Sequence, residues 1–296
     1  MSTIILVEFI VYFIAIVLIA YLTSRKKMSH PVFILGGKRL PGWALAFSER
    51  ATGESAWLLL GFTGFVFATG LSGIWVAVGI ASGIIFAWLF LARKFREEAD
   101  KYKVLTLPDY LAVRFQEKAN IIRWIVTILI ASFFMFYVGA QLAGAGKVFL
   151  TTFQINETTG IIIATIVIMG TAYFGGFLSV VWTDMIQSFM MLFTLVVLPI
   201  IALIYIATND LSITTSLAVA GDGFDSWMGG VTGFAIGVLF FNNFSWFFGY
   251  LGGQPQLSAR FMALKNDHEA KQAITVAIIW TILAYSGAFL IGLTAI

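Results

Sequence analysis

The stretch FSERATGESAWLLLG, residues 47–61, constrains this chain most, because it lies inside an apolar span of about residues 42–70 yet carries Ser48, Glu49, Arg50, Thr52, Gly53, Glu54 and Ser55. A helix rises about 1.5 Å per residue and half a hydrocarbon core is about 15 Å thick, so Ala51–Ser55 falls near the bilayer midplane. An ionised group there costs roughly 2.5–3.5 kcal/mol, so it faces a cavity, a partner or a site. Gly53 weakens the helix, while Thr52 and Ser55 can bond freed backbone groups. Two readings stay open on these residues. One is a discontinuous helix whose loose carbonyls line a midplane site. The other is a straight helix with a buried Arg50–Glu54 pair at i, i+4 spacing.

The membrane setting follows from composition. Hydrophobic residues make up 60% of the 296 residues and charged residues only 11%, where a soluble domain has about 25% charged. The expected class is therefore all-α, a polytopic helical membrane protein forming one transmembrane domain over residues 1–296. Its net charge of +3 is not pooled in one arm, so no nucleic-acid partner is expected. The chain has no cysteine, and its two histidines lie in loops. With no P-loop and no complete nucleophile elbow, an enzyme is not expected.

Eight apolar spans can be read, at about residues 4–22, 42–70, 73–91, 121–150, 160–181, 185–207, 229–252 and 273–295. The first lacks a basic leader and a cleavage site, so it reads as a spanning helix. Of the 18 basic residues, all but Arg50 and Lys147 fall in the connections after spans one, three and seven, among them Arg25, Lys26, Lys27, Arg93, Arg123 and Arg260. The connections at residues 151–159 and 208–228 hold only the acidic charges Glu157, Asp210, Asp222 and Asp225. By the positive-inside rule the basic loops are cytoplasmic and the N-terminus is outside, in a multi-pass cell-membrane protein.

Local signals refine this reading. Thr106, Pro108 and Asp109 suit the start of a short helix along the cytoplasmic face. Gly139/Ala143 and Ala140/Gly144 form small-xxx-small pairs suited to helix packing. A tight turn is expected at Trp182-Thr183-Asp184, with Asp184 in the N-cap region of span six. Span seven ends in Asn242, Asn243, Ser245, Trp246, Tyr250, Gly252, Gly253, Gln254, Pro255 and Gln256, which reads as a second interrupted or cavity-lining helix.

Several segments together resemble the sodium/solute symporter family, most nearly its sodium/proline branch. They are ATGESAWLL at residues 51–59, Tyr137 with its small-residue tail to Phe149, GGFLSVVWTDMIQ at 175–187, and GQP at 253–255 followed by ARFMA at 259–263. The resemblance implies two inverted five-helix repeats preceded by one extra helix, with sodium and substrate at the broken first helix of each repeat. It favours the discontinuous reading of residues 47–61. It implies sodium held by backbone carbonyls of Ala51 and Glu54. The expected substrate contacts are Ser55, Trp57, Tyr137, Gln141, Trp246, Tyr250 and Gln254. It also implies a chain truncated within the second repeat, since residue 296 falls in mid-span.

Two departures from the branch stand out: the acidic residue is displaced to Glu54, and an extra glycine lies between Tyr250 and Gln254. The expected function is import of a small organic solute, proline or another amino or carboxylic acid, coupled to sodium by alternating access. Its partners would be sodium, the solute and lipid. A membrane sensory input module, or proton coupling through Glu54, is the alternative. The Glu54 side chain is expected to face the cavity and to govern ion coupling more than folding.

Overall fold

A computed structural model describes residues 3–24, 29–251 and 254–296. Among them there are helices and turns but no strands. The basic cluster Arg25–Lys27 and the glycines Gly252 and Gly253, read above as a topology signal and a helix interruption, lie outside the described residues.

Helix α1 (Thr3–Ser24) is apolar all round apart from the exposed Glu8 near its start. After the short α2 (His30–Leu35), α3 (Gly42–Ala56) continues through a π-helical segment (Trp57–Phe62) into α4 (Thr63–Thr69). The chain then turns at Gly70–Gly73 and returns as α5 (Ile74–Phe86) and α6 (Ala92–Tyr102). Their partner along the core is α14 (Asp267–Thr294). Gly42 donates its N–H to the Glu269 carboxylate, the backbone of Gly292 abuts Val66, and Arg93 and Arg96 come back to Asp267. The run 42–102 is therefore a hairpin standing on α14, as the second and third spans predict.

The long helices α8 (Ala119–Phe153) and α9 (Glu157–Thr208) complete the scaffold. At 52 residues α9 is too long for one crossing. Its reversal lies at Gly176 (φ 54°, ψ −155°) and not at Trp182-Thr183-Asp184, which are helical. Contacts with α1 locate the reversal: Gly160 packs on Phe149, which meets Phe9, Gly175 lies against Thr23, and Gln187 returns to bond Tyr12. The physical reason is room. A Cβ on Gly175 would sit 2.0 Å from that of Ser179, and Gly176 has the positive φ that glycine tolerates. The turn is made by the Gly175-Gly176 pair, and Asp184 is carried up into the bundle.

Next come α10 (Ile213–Ala220), α11 (Phe234–Phe244) and α12 (Trp246–Gly249). Gln254 is extended and precedes α13 (Pro255–Ala263), so the polar end of span seven is interrupted as expected. Helix α7 (Leu107–Arg114) begins as predicted, with Thr106 Oγ1 accepting the Asp109 N–H. Of the small-residue pairs, Gly144 packs on Ala56, whereas Gly139 faces open space.

Among the described residues, four helical stretches are long and apolar enough to cross a membrane: Gly42–Tyr102, Asn120–Phe153, Glu157–Thr208 and Asp267–Thr294. Two shorter apolar helices, Val7–Thr23 and Phe234–Gly249, stand with them. The basic connections gather at one end of the bundle, tied by Lys38–Asp100, Arg96–Asp267, Arg114–Glu98 and Arg123–Asp109. The connection carrying Asp222 and Asp225 lies at the other end, where the Phe224 carbonyl accepts from Leu71 and that of Trp227 from Trp75.

Candidate functional site

Helix α3 breaks where its polar residues converge. Ser55 has φ 37° and ψ −139°, outside any helical region. A non-glycine residue held there costs of order 1–3 kcal/mol and persists only where its surroundings enforce it. They do so here through backbone groups the break sets free. The Ala56 N–H goes to Gln141 Oε1 on α8 (3.3 Å), and the Trp57 N–H to the Glu54 carbonyl. The Tyr137 hydroxyl, also on α8, lies 3.1 Å from both the Thr52 carbonyl and Ser55 Oγ. The Tyr250 hydroxyl donates to the Gly53 carbonyl (3.4 Å). Every backbone group named here is met by a side chain or by a tightened turn, as a non-helical segment at membrane depth requires.

The discontinuous reading of residues 47–61 holds and the straight helix does not, but the ion pair of the second reading is present as well. The Arg50–Glu54 pair exists, at 2.8 Å, one turn before the break. It is part of a larger buried cluster. Glu49 takes two bonds from the same guanidinium and a third from Trp88 Nε1 at 2.9 Å, while the Tyr285 hydroxyl donates to Glu54. Glu49, Arg50 and Glu54 are at most 2% exposed. The expectation that the Glu54 side chain faces the cavity is therefore corrected. The break comes after Glu54, so the residue keeps its i, i+4 register with Arg50 on the face turned to Trp88 and to Tyr285 of α14.

The other face opens on a cavity of about 680 Å³. Ser55, Trp57, Tyr137, Gln141, Trp246, Tyr250 and Gln254, drawn from three distant segments, all line it. The volume is in the range that encloses a small organic molecule. Trp57 and Trp246 stack with ring centroids 4.7 Å apart, and Trp57 Nε1 has no hydrogen-bond partner. Ala51 lines a second cavity of about 700 Å³, which shares Ser55, Tyr137 and Gln141 with the first. Glu54 lines neither cavity; what it offers near the break is its carbonyl.

Three residues carry more than the sequence suggests. Asp184 accepts hydrogen bonds from Ser48 Oγ (2.7 Å), Thr52 Oγ1 (3.0 Å) and Arg260 Nη2 (3.0 Å). Ser48 and Arg260 are likewise buried. The available signal was that an ionisable group on an apolar helix needs a partner. Once Asp184 is placed eight residues past Gly176 instead of on the turn, Arg260 is the cation left to meet it.

Comparison with known proteins agrees with this architecture. The family profile described as "Sodium:solute symporter family" matches residues 33–296. The chain belongs to the sodium:solute symporter family. Among its relatives are the "Sodium/proline symporter" of Escherichia coli (strain K12), 32% identical over 98% of this chain and 57% of that protein. The "High-affinity proline transporter PutP" of Bacillus subtilis (strain 168) is 33% identical over 94% of this chain and 58% of that protein. A solved structure described as the substrate-bound outward-open state of a Na+-coupled sialic acid symporter superposes with a TM-score of 0.73. That match has 18% identity and covers 96% of this chain and 58% of that one. The fold is thus that of a sodium symporter, and the chain spans less than three fifths of the length of these relatives. Family and apolar helices together make it a multi-pass membrane protein.

Proposed function

We propose that the chain forms the substrate-facing part of a sodium-coupled symporter that imports a small amino or carboxylic acid, proline foremost, by alternating access. The observation that carries this reading is convergence: the seven side chains named from the sequence surround one cavity at the break of α3. Two relatives are described as proline transporters, which supports proline among possible solutes. The hydroxyls of Ser55 and Tyr137 and the amide of Gln141 give a carboxylate or ammonium group something to bond, beside an apolar indole face. Sodium, as co-transported substrate, would be held by the Ala51 and Glu54 carbonyls of the last turn before the break. It would drive transport by binding one arrangement of the bundle better than the other. Phe133, Phe134 and the indoles keep the cavity apolar around its few polar groups.

The test is uptake of labelled proline by the full natural protein in proteoliposomes, with sodium removed at fixed pH. Loss of uptake with sodium and not with the proton gradient supports the reading; the reverse favours proton coupling. Tyr137→Phe removes the hydroxyl that holds both the Thr52 carbonyl and Ser55, and loss of a hydrogen bond of about 0.5–1.5 kcal/mol should lower sodium-driven uptake about three- to tenfold. Unchanged uptake would take Tyr137 out of the site.

We place the N-terminus outside and the basic connections in the cytoplasm, on the asymmetry of Lys and Arg. Cysteines introduced at Ser29 and Asp222 should react with impermeant reagents from opposite sides of the membrane. Labelling of both from one side refutes this topology.

A further inference from the structure

We propose that Arg260 is a latch that fastens α13 across α3 and α9, and that the bridge must open and re-form in each cycle. Its guanidinium ties three elements at one point. Nη2 lies 2.9 Å from Thr52 Oγ1 and 3.0 Å from Asp184 Oδ2, and Nε 3.2 Å from Ser48 Oγ. Nη1 donates to the Gln256 carbonyl of its own helix at 2.7 Å, and the group lies 5.4 Å from the Phe177 ring centroid. Arg260 is 5% exposed.

The helix it holds is suited to moving as a unit. α13 is nine residues long, entered from an extended Gln254 and left through an extended Leu264. Gln254, Pro255 and Gln256 at its start line the first cavity, whereas Thr52 and Asp184, at the far end of the bridge, line the second. Displacing α13 therefore changes both cavities at the end where the basic connections gather. The bridge is two-state for a physical reason. A buried guanidinium that loses its carboxylate is left as an uncompensated charge, so intermediate positions are penalised and the group is either fully bonded or out in water. Packing alone would not need this, since an apolar pair of similar volume is often as stable as a buried ion pair. The inference rests on the transporter reading only for the meaning of the cycle; the latch itself is a statement about α13.

The test uses the full natural protein with a cysteine placed at Ser258, which is 3% exposed on α13, in a stretch that has no cysteine of its own. Labelling by an impermeant maleimide applied from the cytoplasmic side reads whether α13 is seated. Arg260→Gln should raise the labelling rate at least about tenfold by shifting the population toward the open arrangement, and Arg260→Lys should restore part of the difference. Unchanged labelling in Arg260→Gln protein of normal yield and thermal stability overturns the latch. Should that variant fail to reach the membrane, Asp184→Asn and Ser48→Ala, which leave the guanidinium in place, must still raise labelling; if they do not, the proposal falls. If labelling rises as expected while neither parent nor variant accumulates any tested solute, the latch stands and the transporter reading is the one that fails.

Discussion

Arg50→Met is expected to destabilise the folded protein by about 3–5 kcal/mol, because it leaves two buried carboxylates with their cation gone. Arg50 makes bidentate bonds to Glu49 and one bond to Glu54, and all three side chains are at most 2% exposed. Trp88 and Tyr285 supply the remaining donors, and neither carries a charge that could replace the guanidinium. The check is the thermal unfolding midpoint and the yield of monodisperse protein in detergent. Adding Glu49→Gln and Glu54→Gln to Arg50→Met should recover a large part of the loss, since the uncompensated charge is then removed. A single variant that melts with the parent would mean that water or lipid headgroups reach the cluster. Glu54→Gln belongs to the same test. It was expected from the sequence to alter sodium dependence more than folding, and its burial on Arg50 and Tyr285 makes stability its first effect.

The second large effect lies where α9 and α14 touch. A Cβ placed on Gly287 would stand 1.9 Å from the Leu195 backbone carbonyl oxygen, so no side-chain rotation can relieve the clash. The two helices are held at that distance by fully buried neighbours, among them Leu195, Ala284 and Ala288, and by Trp280 Nε1 donating to the Ser188 carbonyl. Gly287→Val is therefore expected to cost at least about 3 kcal/mol, the upper part of the range for overpacking, because backbone has to move. Gly64→Ala is the matched control. Nothing lies within 4 Å of its Cβ position, and alanine is the better helix former by up to about 1 kcal/mol, so it should leave the melting temperature equal or raised. If both variants melt alike, the close approach of α9 and α14 is wrong.

These cases show which parts of the molecule the chain declares locally. Helix class, membrane placement and end-to-end charge asymmetry follow from hydropathy and from where lysine and arginine fall, both of which are properties of short windows. Polar residues inside an apolar span left two outcomes open for α3, a break or a straight helix with a buried pair, and the family resemblance favoured the break. Thr106-Leu107-Pro108-Asp109 announced a helix start because a cap involves only neighbours in sequence. The seven cavity residues were nameable only through the family resemblance, which carries positions far apart in the chain that no local pattern joins.

Tertiary structure decided the rest. Whether Glu54 turns to the cavity or to Arg50 depends on whether the chain departs from helical geometry before or after it, a matter of one residue that α8 settles through Tyr137 and Gln141. Where span five turns into span six depends on whether Gly175-Gly176 or Trp182-Thr183-Asp184 makes the reversal, and hydropathy does not separate them. The glycines win because their backbones fit against Thr23 and Phe33 without a side chain. The partner of Asp184 is 76 residues away on α13, and no local pattern links the two. A buried charge tells the reader that it must have a partner, but only packing says which one.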